Sequence, residues 1–556
     1  MRCKMEKFEH FIYGILMSKS KKNMVLFLTL FAFLISLAMF PTKMVLAKML
    51  PGKSTNTFSI YVDLPNGSSL METQKVNACV VSILQKEKEV QNIEVFSGMG
   101  SPLDYAGLVK GSGFKTGEHL SEIVVNLSDI HARSEASFSM VHRLRPLIQQ
   151  NCAPLKAGTN IKMVEQPAGP PTMAAIVIEL YGKDDHALSA LSLEIKKIVE
   201  NTKNIVDVDV LNDDIYKKFE LKVDKEKIVK SGLTIASVNE ILYLSFEGMQ
   251  IAHKNSENSP TQIPLFLVLS DKTKNINHFS KAEFVAKLTS VKLMNDQGMM
   301  IPLNEIVSVT EVDSTPTIMS KNLQKMATIV AETDLVSQVY PLLDARAKIK
   351  EQLSTRFEIT RSHLFDLQLR EKATNELFTL VWDGEMKVTM DTFRDLGAAF
   401  IAALVLIFLL MVIYYKSFSI AGIILLGSFL SIIGVIVGHW IMDIFTHETF
   451  FLTATSLIGF ISLMGISSRN SLLLIDFTIS LMHKGMEKKK AITLATVTRA
   501  KPIFLTAAAI ILASTLLASD PIFGGLGVAL IFGTIAAVVV SLIFVPVLMD
   551  SAKDIK

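Results

Sequence analysis

One apolar run near residues 24–40 is followed by a polar stretch to about residue 392, and five further apolar runs fill the rest of the chain. Each run approaches the roughly 20 residues that cross a hydrocarbon core. The spans are read at 24–46, 396–415, 419–440, 450–476, 502–518 and 526–549. Such a layout confines the chain to a membrane bundle with one large water-facing region between its first and second helices. Composition agrees: 50% hydrophobic residues exceed the soluble norm, while 20% charged residues require a substantial solvated part. The net charge of +3 carries no message about nucleic acid.

Positive charge orients the bundle. Arg2, Lys4, Lys7, Lys19, Lys21 and Lys22 precede the first span, Lys416 follows the second, and Lys484, Lys488, Lys489, Lys490, Arg499 and Lys501 follow the fourth. All fall on one side. The loops around Asp443 and Glu448 and around Asp520 are acidic or neutral, so both termini are expected in the cytoplasm and 49–392 outside. The first run is too long for a signal-peptide core and no small-residue cleavage site follows it, which favours a retained anchor. Cys79 and Cys152 are then outside and Cys3 inside, and two readings stay open: one disulfide in an oxidising compartment, or two buried thiols.

The outward region alternates strands and helices. Residues 57–64 read as a strand, Pro65-Asn66-Gly67 as a turn, 69–88 as an amphipathic helix and 91–97 as a strand; 121–127, 137–150 and 159–164 repeat strand, helix, strand. This is the split βαβ, ferredoxin-like plan. It recurs at 174–181, 185–201 and 204–210 and resumes at 325–332, 336–353 and 356–360 around an insertion at 213–315. The expected α+β domains are therefore 47–170, then 171–212 with 316–375, with 376–395 as an interfacial segment, 396–549 as a five-helix bundle, and 1–23 and 550–556 as cytoplasmic ends. Pro167-Ala168-Gly169-Pro170-Pro171 reads as a rigid connector. The glycine-rich stretch from Gly98 through Tyr105 to Gly113 reads either as a surface loop or as a gate over a ligand cleft, with Met99 and Tyr105 its candidate contacts. It is no phosphate cradle, because no Gly-Lys-Ser/Thr opens a helix there.

The fourth span carries the sharpest signal. Ser462, Arg469 and Asp476 are spaced seven residues apart, nearly two turns, and share one stripe, with Asn470 beside the arginine. Gly459 and Gly465 thin the helix for close packing. An arginine at membrane depth costs several kcal/mol unless it faces protein or water and meets an acid; the alternative is snorkelling to the cytoplasmic interface. Asp476 reads as interfacial.

The stretch Gly465-Ile-Ser-Ser-Arg-Asn-Ser-Leu-Leu-Leu-Ile-Asp-Phe477, the segment Arg499-Ala-Lys-Pro-Ile-Phe-Leu-Thr506 and the closing Phe544-Val-Pro-Val547 resemble the C-terminal half of resistance-nodulation-division (RND) efflux permeases. The resemblance implies six transmembrane helices, ferredoxin-like porter subdomains with an inserted docking subdomain, proton antiport and no cofactor. It also implies a trimer working with a periplasmic adaptor and an outer-membrane channel at the inner membrane. Relay roles would fall on Arg469, Asn470 and Thr506, with Ser462 and Asp476 in support. Arginine stands where the best-known drug exporters of that family have lysine, and it cannot itself release a proton near neutral pH. The six spans hold no deep acid, Asp395 and Asp476 lying at their ends.

The chain is therefore expected to need the N-terminal half of the permease, as a separate chain, to supply the aspartates. The alternatives are a self-sufficient homodimer resembling protein-translocation auxiliaries, a fragment of a split permease, or an anchored enzyme or scaffold. No His-Glu-x-x-His, Gly-x-Ser-x-Gly or Cys-x-x-Cys supports an enzyme. The 26 methionines, among them Met99, Met163, Met173, Met249 and Met319, show no spacing that assembles a soft-metal cluster, so no metal site is expected.

Overall fold

The computed structural model describes residues 2–52, 54–165, 169, 172–211, 215–270, 280–446 and 449–552, the side chains of 2–5 and 106 excepted. It divides into two compact units, one of 1–63, 73–211 and 318–556, the other of 64–72 and 212–317.

The larger unit begins with helix Arg2–Met17, which packs Ile12, Ile15 and Leu16 into the apolar core of the bundle. Among the described residues, six helices are long and apolar enough to cross a membrane: Lys19–Ala38, Glu385–Tyr415, Phe418–Phe445, Ala454–His483, Lys488–Ala518 and Gly524–Ser551. They are called the first to sixth spans below. Lys22 Nζ lies 2.7 Å from Asp550 Oδ2, which holds the start of the first span beside the end of the sixth.

Three boundaries differ from the hydropathy reading. The first span closes at Ala38 and not 46, after which the chain turns and Ala47 bridges Leu452. The fifth begins as a helix at Lys488, fourteen residues early, and carries Pro502 inside it. The stretch 376–395, expected as interfacial, is instead a strand at 377–383 and the first turns of the second span. Hydropathy reports solvent and not conformation: Asp391, Arg394 and Asp395 are polar but helical, because Met386 and Thr389 are buried against the sheet below them.

Two α/β sandwiches make up the rest of this unit. The first has β1 (Thr57–Asp63), β2 (Val90–Met99), β3 (Thr116–Leu127) and β4 (Asn160–Glu165) in the antiparallel order β2-β3-β1-β4. Ile60 sits opposite both Ile123 and Met163. Helices Leu70–Leu84 and Ser137–Cys152 cover the sheet; the second buries Met140, Leu144, Ile148 and Cys152 at the four-residue interval of one helix face. Cys79 and Cys152 are disulfide-bonded, which closes the choice left open by the sequence.

The second sandwich uses β5 (Ile176–Tyr181) and β6 (Ile205–Val210), then resumes after the smaller unit, whose β7 (Lys217–Val223) pairs β12 (Val307–Asp313). That unit also holds the hairpins β8 (Met249–Lys254) with β9 (Ile263–Leu267) and β10 (Lys292–Met294) with β11 (Met300–Pro302), and a core in which Phe219 stacks on Phe284 at 5.1 Å. Back in the second sandwich, β13 (Met319–Lys321), β14 (Gln324–Thr333), β15 (Phe357–Ser362), β16 (Asp366–Glu371) and β17 (Leu377–Asp383) complete a sheet ordered β13-β14-β5-β17-β16-β15, with β6 also on β14. Trp382 is its largest fully buried side chain. Gly384 alone joins β17 to the second span; its φ is +80° and a Cβ there would lie 2.7 Å from the Ala174 carbonyl, so only glycine fits.

Because Cys79 and Cys152 tie two helices across 73 residues, reduction is expected to cost the first sandwich about 2–4 kcal/mol. Alkylating the denatured, unreduced protein should label one cysteine of the three, and all three after reduction; equal labelling in both states would contradict the bond.

Candidate functional site

Thr453 opens the fourth span with a capping box: its hydroxyl accepts from Ser456 N while Ser456 Oγ accepts from Thr453 N. One face of this helix packs on the sixth span. A Cβ at Gly459 would lie 3.0 Å from Ala529 Cβ and 3.1 Å from the Leu526 carbonyl, so the helices meet at backbone distance. Gly434 of the third span approaches the Phe532 backbone of the sixth in the same way, and Gly438 packs against the Phe532 side chain. Gly465, read from sequence as a second packing glycine, instead faces open space with nothing within 4 Å.

Gly465 belongs to the opposite face, and so does the polar stripe. Ser462, Arg469 and Asp476 are all exposed, along with Ile458 and Leu473. Arg469 makes no salt bridge among the described residues, and it lies seven residues, about 10 Å of helix rise, from Asp476. Ser462 Oγ donates back to the Ile458 carbonyl at 3.0 Å. Asn470 turns about 100° away and is buried, so the structure does not put it on the face Arg469 presents. Thr506 is exposed on the fifth span, its hydroxyl 3.0 Å from the Ile503 carbonyl. The arrangement is thus a charged donor within an apolar span, on a helix face that no other helix covers among the described residues.

A second polar assembly escaped the sequence reading. His439, on the third span, is fully buried; its Nδ1 lies 2.7 Å from the Val435 carbonyl and its Nε2 2.8 Å from Ser456 Oγ. A carbonyl only accepts, so Nδ1 donates, Nε2 accepts, and Ser456 donates to it. Thr453, Thr455 and the Ile522 carbonyl continue the chain at 2.8 and 3.2 Å. The available signal was a lone histidine in an apolar run with Thr-x-Thr-Ser one short loop later.

The glycine-rich stretch after β2 is ordered by a short helix, Tyr105–Lys110, capped by Asp104 and ended by Gly111 at φ +80°. It presents Met99, Leu103, Tyr105, Leu108 and Phe114 as exposed apolar side chains. Lys110 Nζ, 3.1 Å from Glu332 Oε1, ties it to the second sandwich. Of the proline-rich connector only Gly169 is among the described residues; Pro167, Ala168, Pro170 and Pro171 lie outside them, as does Glu448.

These features define a polytopic membrane protein whose α/β region is extruded between its first two spans. The chain belongs to the AcrB/AcrD/AcrF family, which matches it over residues 3–551. Swarming motility protein SwrC of Bacillus subtilis (strain 168) is 25% identical over 384 residues, 67% of this chain and 32% of that protein. Multidrug resistance protein MdtC of Proteus mirabilis (strain HI4320) is 21% identical over 460 residues, covering 82% and 39%. Cobalt-zinc-cadmium resistance protein CzcA of Cupriavidus metallidurans is 19% identical over 337 residues, covering 60% and 28%. A crystal structure of a heavy metal efflux pump shares the fold with a TM-score of 0.71 at 16% identity, over 98% of this chain and 52% of that one. The chain spans about half of that solved structure and well under half of these relatives.

The two kinds of glycine separate packing from the open face. Gly434→Ala should lower the folded yield in detergent, since its methyl meets the Phe532 backbone. Gly465→Ala should leave the thermal midpoint unchanged or slightly raised, by the roughly 1 kcal/mol that alanine gains over glycine in a helix. Equal losses at both positions would mean that the Gly465 face is packed within the chain.

Proposed function

We propose that this chain acts as one half of a proton-motive-force-driven efflux permease, exporting small molecules from the inner membrane or periplasm. The observation that carries it is Arg469, held with Ser462 on an uncovered helix face. A guanidinium in hydrocarbon needs a carboxylate, and the five other spans supply none at its depth. The complement is an N-terminal half of six spans bearing paired acids, whichever polypeptide carries it. Arg469 then biases the protonation of those acids, while Asn470 and Thr506 support the relay from the neighbouring faces. The activity is transport by proton antiport and not catalysis.

The rest of the reading follows from the same placement. Residues 47–170, and 171–212 with 316–375, serve as porter subdomains, 213–315 as the docking subdomain, and Met99 and Tyr105 as contacts of a substrate gate. The disulfide supports an oxidising, periplasmic environment for the first sandwich, with both termini cytoplasmic. Three complete permeases assemble with a periplasmic adaptor and an outer-membrane channel. The relatives' names include both multidrug and metal resistance, and small molecules are the class they share. A homodimer is the weaker reading, because a second copy would bring another arginine to the open face, and the acid it carries there, Asp476, lies about 10 Å of helix rise from the level of the guanidinium.

Expression with and without a six-span half carrying paired aspartates tests the assembly. The two should co-purify, and only together should they give proton-dependent efflux. Proton-driven efflux by this chain alone in liposomes would falsify the half-permease reading. Within the complete assembly, Arg469→Ala should abolish efflux at unchanged membrane abundance, since acids without their counter-charge stay protonated. Arg469→Lys should keep part of it, because the point charge survives without the bidentate fork. Wild-type efflux in the alanine variant would leave snorkelling as the role of Arg469.

A further inference from the structure

The sixth span carries a proline inside it, in the closing stretch Phe544-Val-Pro-Val547. Proline has no N–H, so Pro546 withdraws the amide that the Leu542 carbonyl would accept in an α-helix. The helix passes through a π turn at Val540–Phe544, where the Val545 N–H reaches back five residues to the Val540 carbonyl. At that spacing the Ser541 carbonyl would be served by residue 546, which is the proline, and the Val545 amide is already engaged. Ser541 therefore keeps a main-chain acceptor that neither amide reaches.

Its side chain is in the same condition. Ser541 Oγ is fully buried and meets no hydrogen-bond partner among the described residues. Ser467 Oγ and Ser471 Oγ, on the fourth span, are also fully buried and without a partner among them. Other hydroxyls of the bundle donate to the carbonyl four residues back: Ser428 to Ile424 at 2.8 Å, Thr478 to Leu474 at 2.9 Å and Thr496 to Ile492 at 2.8 Å. Ser467, Ser471 and Ser541 do not use that local acceptor.

The third span brings a second irregular turn to the same place. It is interrupted between its helices Phe418–Phe429 and Ile432–Phe445. Through the break Ser431 N bonds the Ser428 carbonyl at 3.2 Å and Ile433 N the Leu430 carbonyl at 3.2 Å, three residues back in place of four. The Gly427 carbonyl thus loses the Ser431 amide. Gly427 is also where the three spans touch: a Cβ there would lie 3.3 Å from Ser471 Oγ and 2.8 Å from Val545 Cγ2. Val545 is about one turn from Ser541, and Ser467 one turn from Ser471 on the same helix face. The unmatched hydroxyls and carbonyls are therefore gathered within about a turn of one point.

The chemistry of these groups selects their ligand. Among the described residues no buried side chain of the three spans is charged, and Arg469 points about 160° away from Ser467 and Ser471. A cation would stay uncompensated there. An apolar guest would leave every hydroxyl and carbonyl unbonded. Water is small, donates and accepts, and needs two to four polar partners. We propose that the third, fourth and sixth spans enclose a water-binding site, in which bound water bridges the hydroxyls of Ser467, Ser471 and Ser541 to the carbonyls of Ser541 and Gly427. That water replaces the main-chain bonds that the π turn and the break give up, and so holds both irregular turns at one level of the bundle. The site lies on the inner face of the fourth span and is independent of the export reading.

The test uses the full chain in lipid nanodiscs and needs no transport assay. Hydroxyl radicals made by an X-ray pulse from water bound inside a protein oxidise the side chains beside it, however deeply they lie. In isotopically labelled water the fully buried Leu474 and Val545 should take up label, and the equally buried Ile492 should not. The label at Leu474 and Val545 should drop to the level of Ile492 when Ser471→Ala and Ser541→Ala are combined. Pro546→Ala, which returns an N–H to the π turn, should weaken it at Val545. Wild-type label at Leu474 and Val545 no higher than at Ile492, or label unchanged in the double variant, would overturn the site.

Thermal midpoints give a second readout. A bridging water is lost with either hydroxyl, so the losses from Ser471→Ala and Ser541→Ala should not add, and the double variant should fall little further than the worse single one. Fully additive losses would mean that each hydroxyl acts alone on its own helix, which would also overturn the proposal. If the double variant fails to fold, Pro546→Ala decides by the label at Val545.

Discussion

A charged guanidinium on an uncovered helix face is the interaction this structure is organised around. Water satisfies Arg469 for nothing; hydrocarbon does not satisfy it at all. The bundle spends its small residues on the other side of the same helix, where Gly459 meets the Leu526 backbone of the sixth span and Gly533 of the sixth span makes room for the Leu463 side chain. That leaves Ser462, Gly465 and Arg469 presented outward as a set. A helix that buried its arginine against its own bundle would need an acid there, and among the described residues none of the packed faces offers one. The asymmetry between a tight inner face and a polar outer one is the observation on which the half-permease proposal rests.

Much of this was legible in the sequence because two signals are strong. Twenty apolar residues identify a span, and alternation in Phe58-Ser59-Ile60-Tyr61-Val62 identifies a strand whose partners, Val125 to Ser121 and Glu165 to Ile161, follow the same period. The stripe of Ser462, Arg469 and Asp476 followed from helical geometry alone. Its orientation did not, because a seven-residue spacing says which residues share a face and not which face is covered. Asn470 shows the difference: adjacent in sequence, it is turned into the bundle.

What stayed illegible depends on contacts between distant segments. Cys79 and Cys152 sit on different helices, and their pairing follows only once both helices lie on the same sheet. His439 reads as an isolated polar residue until the third and fourth spans pack and bring Ser456 to 2.8 Å. Residues 376–395 were misjudged for the complementary reason: a strand followed by a polar helix has no apolar run, although Trp382 and Met386 are both buried in the sandwich core. Residues 64–72 group with the 212–317 unit for no reason that their own composition carries.

The connection between the sandwiches and the bundle has its own physical logic. A flexible linker would let a charge change outside the membrane dissipate as loop motion, whereas a strand that becomes a helix through one glycine transmits displacement along a stiff path. Gly384 permits no side chain and so no slack of the ordinary kind, since a Cβ would meet the Ala174 carbonyl. The linker after the first span is pinned just as directly, at Leu452 and Ala454, to the start of the helix that carries Arg469. Glu385 thus stands at the head of the second span, and Lys48 in the linker pinned to the head of the fourth. The guanidinium lies fifteen residues further along one of them, about 22 Å of rigid helix. Such a geometry ties the second sandwich and the linker after the first span to the heads of the second and fourth spans through the backbone itself.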